Sequence, residues 1–338
     1  ASRLSALSKV FSSKNSIPIL NCYLFEVNNN QLTITASDSE NIMTTNLQLD
    51  EACENGMFAV NNQTILDAVK ELPEQPLTLD VDMATYAIKV IYLNGVYNFT
   101  GQSGEEFPKF QSLPENATSI IVDSKTLSND ISRSIFATDN GELRPVMNGI
   151  YFDLTPEYLA IVASDGHKLV KTMNMSVKSE TPLSFILPKK PANLLKNVLL
   201  KNDDDIIIRF DDRNANIIFS DGTLSCRLIE GRYPNYNSVI PQNNPNQLTI
   251  DRLVLIGVLR RVLPFASDSS QQIRLHIEMG KVVISSEDVD FATSAKEEIV
   301  CDYNGSIMDI GFKGTSLMEI LSLSLIHISE PTRLLSIS

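Results

Sequence analysis

Short runs rich in β-branched and apolar residues recur between residues 126 and 229, and they flank two longer segments of helical periodicity. The run from Ile206 to Phe210 is typical of a strand, and the pair Asp221-Gly222 is typical of a tight turn between strands. This pattern predicts helices over 126–137 and about 190–200, and strands near 149–155, 158–164, 168–175, 183–188, 205–211, 214–220 and 223–229.

An internal repeat organises the chain. Pro18-Ile19-Leu20-Asn21 recurs 127 positions later as Pro145-Val146-Met147-Asn148, and Ala36-Ser37-Asp38 recurs at the same offset as Ala163-Ser164-Asp165. A fainter third copy appears in the run from Val283 to Glu287. Three units of about 125 residues follow from these offsets, which is a period too long for a solenoid.

The repeat predicts the fold class and the domain bounds. The third unit reads as a helix over 251–263, strands near 272–278, 281–286 and 292–299, and a helix from about 315. Each complete unit holds two similar βαβββ halves, which makes the fold α+β with mostly antiparallel sheet. The predicted domains are 1–118, 119–245 and 246–322, followed by a segment over 323–338 that stops matching the repeat.

Composition removes several classes of protein. Apolar residues make up 43% of the chain, which excludes a disordered protein, and no apolar run reaches the roughly 18 residues of a membrane span. The four cysteines lack CxxC spacing, and three histidines without nucleophile or phosphate-loop motifs indicate neither a metal site nor a catalytic one. We therefore expect a cytoplasmic protein with no cofactor and no active site.

The net charge of −13 is distributed unevenly. The segments 1–22, 181–202 and 252–265 together carry ten Lys and Arg residues and no acid, whereas the rest of the chain is strongly acidic. Three basic helical segments at related places in a repeat indicate one positive surface on an acidic body. Such a surface suits a polyanion that is held through its phosphates, without readout of bases.

Three stretches carry a resemblance to a known family: Ser13 to Leu20, Ala163-Ser164-Asp165-Gly166-His167-Lys168-Leu169, and Glu230-Gly231-Arg232-Tyr233-Pro234-Asn235-Tyr236. With the threefold repeat, they resemble the bacterial DNA sliding clamp, the β subunit of DNA polymerase III. The resemblance implies a head-to-tail homodimer whose six domains close a ring around double-stranded DNA. It also implies a non-catalytic processivity factor that tethers the replicative polymerase and is loaded by an ATP-driven clamp loader.

The resemblance implies three sets of site residues. DNA-facing basic residues fall at Lys14, Lys70, Lys189 and Lys190. A pocket between the second and third domains, which takes short linear peptides from the polymerase, the loader and repair proteins, falls at Met147, Ser164, Gly166, His167, Lys168, Leu169, Pro234 and Val239. The dimer interface falls at Tyr97 and Phe99 in the first domain and at Pro264 and Phe265 in the third.

The repeat also indicates that both ends of this chain are incomplete. The first unit begins at its helix without the preceding strand, and the third lacks the second half that the others have. The segment 323–338 resembles the translation of a sequencing adapter, so we expect it to be non-native. We expect a third domain of this kind to fold weakly, so that this chain neither closes a stable ring nor binds peptides as strongly as a completed version.

Two alternatives remain open at this level. A repeat-built protein-interaction scaffold that never meets DNA would keep its partners after charge reversal of the basic helices. An enzyme that uses an unrecognised carboxylate pair would show a deep cleft with acids of perturbed pKa. Apart from the resemblance, Asp165-Gly166 is interpreted as a plain hairpin turn and Met147 as a core residue.

Overall fold

The computed structural model describes residues 1–12, 15, 17–51, 53–109, 112–200, 204–240 and 246–323. The chain forms two compact units, Ala1–Tyr233 and Pro234–Ser338. Predicted domain 1–118 and residues 119–233 of the second predicted domain lie in one unit, whereas 234–245 lie in the other unit with the predicted third domain. The predicted tail over 323–338 falls, beyond Leu323, outside the described residues.

The first predicted domain is built from short antiparallel strands and two helices. Its elements are α1 (Ser2–Leu7), β1 (Cys22–Asn28), β2 (Gln31–Ser37), β3 (Asn41–Gln48), β4 (Gly56–Asn61), α2 (Asn62–Lys70), β5 (Thr78–Asp82), β6 (Ala87–Tyr92), β7 (Gly95–Thr100) and β8 (Gln102–Ser103).

The second predicted domain shows the βαβββ half twice, as the repeat predicts. Its elements are β9 (Thr118–Asp123), α3 (Ser124–Ser134), β10 (Gly149–Leu154), β11 (Leu159–Ser164), β12 (Leu169–Asn174), β13 (Leu183–Pro188), α4 (Lys189–Leu199), β14 (Asp205–Phe210), β15 (Asn214–Phe219) and β16 (Gly222–Arg227). The predicted strands of this domain are confirmed within two residues, because strong alternation and clear turn residues mark each one.

One sheet joins the two domains of the first unit. Its nine strands lie in the order β8-β4-β1-β2-β3-β16-β15-β14-β9, and β3 pairs with β16 so that Met43 lies opposite Leu224. Two smaller sheets, β12-β11-β10-β13 and β5-β6-β7, complete the unit, and the pairings given within all three sheets are antiparallel. The domains therefore meet through main-chain hydrogen bonds rather than through side chains alone.

The core of the first unit follows from strand alternation. In β9, Ile120 and Val122 are buried while Ile121 between them is 59% exposed. Aromatic rings stack in the interior: Phe152 and Phe185 lie 4.5 Å apart between ring centroids. Burial of such side chains stabilises the fold by about 1.5–3 kcal/mol each.

Helix starts are set by side-chain caps. The side-chain oxygens of Asn61 and Asp123 accept hydrogen bonds from the main-chain N–H groups of Thr64 and Thr126, at 3.1 and 2.7 Å. Each cap satisfies a donor that the first helical turn leaves unpaired. The ends of β4 and β9 are thereby joined directly to α2 and α3, which positions both helices against the sheets.

The second unit has its own core. Its elements are β17 (Leu248–Thr249), α5 (Arg252–Val262), β18 (Gln272–Glu278), β19 (Lys281–Asp288), β20 (Thr293–Val300), β21 (Asp302–Tyr303), β22 (Met308–Lys313) and α6 (Gly314–Leu323). A sheet of order β20-β19-β18-β22 packs with α5 and α6 around residues such as Leu259 and Ile273. The predicted elements of this region are confirmed, and β22 and the two-residue strands β17 and β21 are additional strands that the sequence pattern did not reveal.

Candidate functional site

Basic residues from two distant segments meet in one depression of the first unit. Lys9 follows α1, whereas Lys189 and Lys190 begin α4, and together with Asn193 and Asn197 they line a concavity of about 350 Å³. The segments 1–22 and 181–202, both basic and without acids, therefore share one surface. This arrangement agrees with the predicted positive surface for these two segments.

The lysines of this surface differ in how they are held. Lys189 Nζ donates to Asn140 Oδ1 at 2.8 Å, an exposed contact. Lys190 Nζ donates to the main-chain oxygen of Val10 at 2.6 Å and to the carboxylate of Asp38. Lys190 thus links the second predicted domain to the first, while Lys189 stays nearer to solvent. Lys14, which the resemblance also places facing DNA, lies outside the described residues.

Lys70 does not line the basic depression; it is the last residue of α2. Its ammonium group donates to Asp67 Oδ1 at 2.7 Å, and this bond raises the pKa of Lys70 above its usual value. Both side chains are well exposed, so the ammonium group remains accessible to an anion. In the second unit, Arg261 of α5 makes a bidentate ion pair with Glu297 at 2.8 and 2.7 Å.

The predicted peptide-binding residues of the first unit cluster at the β11–β12 turn. Asp165 Oδ1 accepts the N–H groups of His167 and Lys168, each at 2.9 Å, and Ser164 Oγ accepts the N–H of Gly166 at 3.1 Å. Gly166 has a φ of +86°, a conformation that side chains rarely adopt. The turn is therefore built by its own side chains, and the plain-hairpin interpretation correctly describes its backbone.

The first predicted domain contains the same turn. Asp38 Oδ1 accepts the N–H groups of Glu40 and Asn41 at 3.1 and 2.7 Å, and Ser37 Oγ accepts the N–H of Ser39 at 3.2 Å. Ser39 has a φ of +80°, matching Gly166 at the repeat offset. The repeat inferred from the sequence is thus reproduced in individual hydrogen bonds.

The other residues predicted to bind peptides differ in burial and lie on different elements. Met147 is buried at the end of the 3₁₀ turn Pro145–Met147, and Leu169 is half-buried at the start of β12. Lys168 Nζ lies 5.2 Å from the centroid of the Phe136 ring. Pro234 and Val239 belong to the second unit, where Val239 is 66% exposed.

Arg144 is a residue of this region that the sequence interpretation missed. Its Nη2 atom donates to the main-chain oxygen of Asp165 at 2.9 Å. A signal was present, since the repeat places Arg144 at the position of the apolar Ile17, directly before the recurring Pro-x-x-Asn segment. A charged residue where the other copy is apolar indicates a function particular to one copy.

Tyr233, in the third resemblance stretch, packs beside the same domain. Its ring stacks on Tyr151 with centroids 4.7 Å apart, and burial raises the pKa of the Tyr233 phenol to about 12. The phenol is therefore neutral at physiological pH. Tyr233 acts as an apolar support that fixes where the chain leaves the first unit.

The predicted interface residues lie on or near strand edges. Tyr97 and Phe99 lie on β7, which forms one edge of the sheet β5-β6-β7, and both are half-buried. In the second unit, β20 forms an edge of its sheet, and Pro264 and Phe265 lie exposed in the 3₁₀ turn that follows α5. Edge strands carry main-chain groups that can pair with another chain.

The described residues contain no cluster of three or more His, Cys, Asp or Glu side chains placed to hold a metal ion. Within the same residues, no helix has the length and apolar character to cross a membrane.

Family models for the β subunit of DNA polymerase III match the chain in three consecutive segments. The N-terminal domain model matches residues 1–111, the central domain model matches 121–235, and the C-terminal domain model matches 237–327. Together the three matches cover nearly the whole chain.

Individual relatives agree with these matches. The chain is 26% identical over 321 residues to the β sliding clamp of Pseudomonas putida, covering 94% of this chain and 86% of that protein. It is similar to the solved structure of the DNA polymerase III β subunit of Thermotoga maritima, with a TM-score of 0.87, 25% identity, and coverage of 97% and 87%. The solved Pseudomonas aeruginosa sliding clamp bound to griselimycin gives a TM-score of 0.89 at 23% identity, with coverage of 95% and 86%.

Proposed function

This chain belongs to the DNA polymerase III β subunit family, and we propose that it is a sliding clamp that holds the replicative polymerase on duplex DNA. The observation that carries the proposal is the meeting of two distant basic segments, through Lys9, Lys189 and Lys190, on a chain of net charge −13. An acidic protein is poorly suited to tight electrostatic binding of DNA. A local basic surface on such a protein suits retention by encirclement, with phosphate contacts weak enough to slide.

The family is non-catalytic, and its action is to raise the local concentration of its partners. A polymerase tethered to a ring on DNA cannot diffuse away from the primer end between successive additions. ATP belongs to the loader that opens the ring, so the clamp itself needs no cofactor. We expect the protein to work in the cytoplasm, where bacterial chromosomal DNA lies.

The proposed ring is a homodimer closed by strand pairing. We propose that β7 of one subunit pairs with β20 of its partner, with Tyr97 and Phe99 packing against Pro264 and Phe265. Two identical head-to-tail contacts then close the ring and cover both edge strands. Support comes from the position of each strand at the edge of its own sheet.

The proposed partner site is the patch around the β11–β12 turn. We propose that Met147, Ser164 and the residues Gly166 to Leu169 receive a short linear peptide. A buried apolar residue beside a rigid polar turn offers both an anchor and hydrogen-bonding groups. We also propose that this patch binds griselimycin, the compound bound in the Pseudomonas aeruginosa structure.

Circular DNA provides the test of the proposed function. The protein is loaded onto nicked circular DNA by a bacterial clamp loader with ATP, and its retention is measured by gel filtration. Linearising the DNA should release the protein, because a ring slides off a free end. Retention that is unchanged by linearisation, or no loading at all, would contradict encirclement.

Charge reversal separates the clamp from the scaffold alternative. Lys9→Glu and Lys189→Glu together should strongly reduce loading onto circular DNA while leaving griselimycin binding unchanged. A scaffold that never meets DNA would bind its partner proteins equally well with and without DNA. The two charge reversals would then leave partner binding unchanged when DNA is present.

A further inference from the structure

Arg144 lies directly against the turn that joins β11 to β12. Its Nη2 atom donates to the main-chain oxygen of Asp165 at 2.9 Å and lies 3.4 Å from Asp139 Oδ2. A Cβ atom added to Gly166 would collide with Arg144 Nη1, so the guanidinium covers the turn at contact distance. The turn therefore has an external support in addition to its own hydrogen bonds.

The loop that carries Arg144 is itself held in place. The N–H of Asp139 donates to the main-chain oxygen of Met147 at 2.8 Å, and Asn148 Nδ2 donates to that of Gly141 at 3.0 Å. The N–H of Gly141 donates to the Asp139 carboxylate, and with the charge of Arg144 it lowers the pKa of that carboxyl group. The carboxylate is thus charged at neutral pH and holds the guanidinium between the loop and the turn.

We propose that Arg144 is a positioning residue of the peptide-binding patch, which keeps the Asp165–Gly166 turn aligned with Met147. This inference rests on the proposed peptide-binding function of the patch. One loop carries both Met147, the apolar residue of the patch, and Arg144, which bonds the turn on the neighbouring hairpin. Arg144 thereby adds a side-chain link between the apolar and polar parts of the patch, beside the pairing of β10 with β11.

Removal of Arg144 leaves the fold intact but frees the turn. Asp165 and Ser164 still supply the internal hydrogen bonds of the turn, and the Arg144 side chain is half exposed, so the core is unaffected. A turn that samples several positions must be ordered again when a ligand binds. We expect the loss of this one charge-assisted hydrogen bond to weaken binding by about tenfold.

Hydrogen exchange tests the support without any ligand. In the Arg144→Ala variant of the full chain, amides in 164–169 should exchange faster than in the unchanged protein, while the temperature of unfolding stays the same. Arg209→Ala is the matched control. Arg209 lies on β14, away from the turn, and its side chain also donates to a main-chain oxygen, that of Pro114 at 3.2 Å. Equal exchange of 164–169 in the Arg144→Ala variant and the unchanged protein would overturn the inference.

Calorimetric titration with griselimycin tests the consequence for binding. Arg144→Ala should raise the Kd about tenfold, Arg144→Lys should restore part of the loss, and Arg209→Ala should have no effect. If the unchanged protein binds griselimycin and Arg144→Ala binds it equally well, the positioning inference is wrong and the proposed function stands. If the unchanged protein does not bind griselimycin, the proposed patch is wrong, and hydrogen exchange still decides whether Arg144 holds the turn.

A double-mutant cycle tests the contact between Arg144 and Gly166. Gly166→Ala adds a Cβ atom that forces the flexible guanidinium off the turn and strains a left-handed backbone. In the Arg144→Ala background the collision is gone and the backbone strain remains, so Gly166→Ala should weaken griselimycin binding less than it does alone. Equal effects in both backgrounds would show that Arg144 does not lie on the turn in solution.

Discussion

Lys190 Nζ donates to the main-chain oxygen of Val10 at 2.6 Å, and this bond joins the start of α4 to the end of the first helical segment. The same ammonium group contacts Asp38, whose side chain is 8% exposed. Lys190 therefore contributes to the junction between the first two predicted domains as well as to the basic surface. Lys189, its neighbour in sequence, has no such structural link to the first predicted domain among the bonds of the described residues.

This difference predicts unequal effects on stability for substitutions at two adjacent lysines. Lys190→Met should lower the free energy of unfolding of the first unit by about 1.5–3 kcal/mol, because it removes the cation that pairs with the nearly buried Asp38 carboxylate. Lys189→Met should change stability by less than about 1 kcal/mol, as expected for an exposed contact. Urea denaturation followed by circular dichroism measures both. Equal destabilisation by the two variants would show that the Lys190 contacts do not persist in solution.

DNA binding should respond to the exposed lysines of the same surface. Lys9→Ala and Lys189→Ala should each reduce the slope of log binding constant against log salt concentration by about one, because each removes one phosphate contact. The slope is measured with short duplex DNA at several salt concentrations. Lys178→Ala serves as control, since that residue lies between β12 and β13, outside the basic depression. A slope that is unchanged for both lysine variants would exclude them from the DNA-facing surface.

The proposed ring predicts monomers when its apolar contacts are charged. Phe99→Asp combined with Phe265→Asp should abolish dimers in sedimentation velocity, because two buried charges at one joint outweigh its apolar contacts. Ile121→Asp places a charge on β9, an exposed edge of the nine-stranded sheet, and should leave the dimer intact. If the double variant still forms dimers, the dimer interface does not lie at Phe99 and Phe265.

Two aspartates at α3 should affect stability in opposite directions. Burial raises the pKa of Asp130, so its ionised form destabilises the fold. The stability that its protonated form supplies is full below the unfolded pKa of about 3.9 and is lost as the pH rises through the folded value. Asp130→Asn should therefore raise stability at pH 7 by about 1 kcal/mol, and the gain should shrink as the solution is acidified.

Asp123, the cap of the same helix, provides the comparison. The hydrogen bonds from Thr126 lower the pKa of its carboxyl group, so it stabilises the fold above its unfolded pKa and loses this effect as the pH falls through the folded value. Asp123→Ala should lower stability at pH 7 by about 1 kcal/mol. Thermal unfolding from pH 3 to pH 8 measures both variants. Parallel pH profiles for the two would contradict these assignments.

Hydrogen exchange should differ between the two units. The second unit has a four-stranded and a two-stranded sheet and a smaller core, and it exposes Val300 on the edge strand β20 and Phe291 just before that strand. Amides in 272–299 should exchange faster than those in 149–229, because fewer buried contacts oppose local opening. Equal protection of the two regions would show that the second unit is as stable as the first.

Much of the fold could be predicted from local sequence patterns. The strands and helices between residues 119 and 229 were marked by alternation and turn residues, and the repeat was visible because turns such as Asp38 and Asp165 need the same residues to form the same hydrogen bonds. The strand β22 was missed because its sequence, Met308 to Lys313, contains a glycine and few β-branched residues. It forms because β18 offers it an edge with which to pair.

By itself, the sequence determined the repeat, the α+β class, the uneven charge and the family to which the chain belongs, since each depends on the kind and order of residues. Only the tertiary structure decided that β3 pairs with β16, that Lys190 bonds to Val10 while Lys189 does not, and that Arg144 supports the Asp165–Gly166 turn. Arg144 lies 21 positions from Asp165 in the chain, and Lys190 lies 180 positions from Val10. Such contacts depend on how strands and loops meet in space, and no local pattern of residues specifies them.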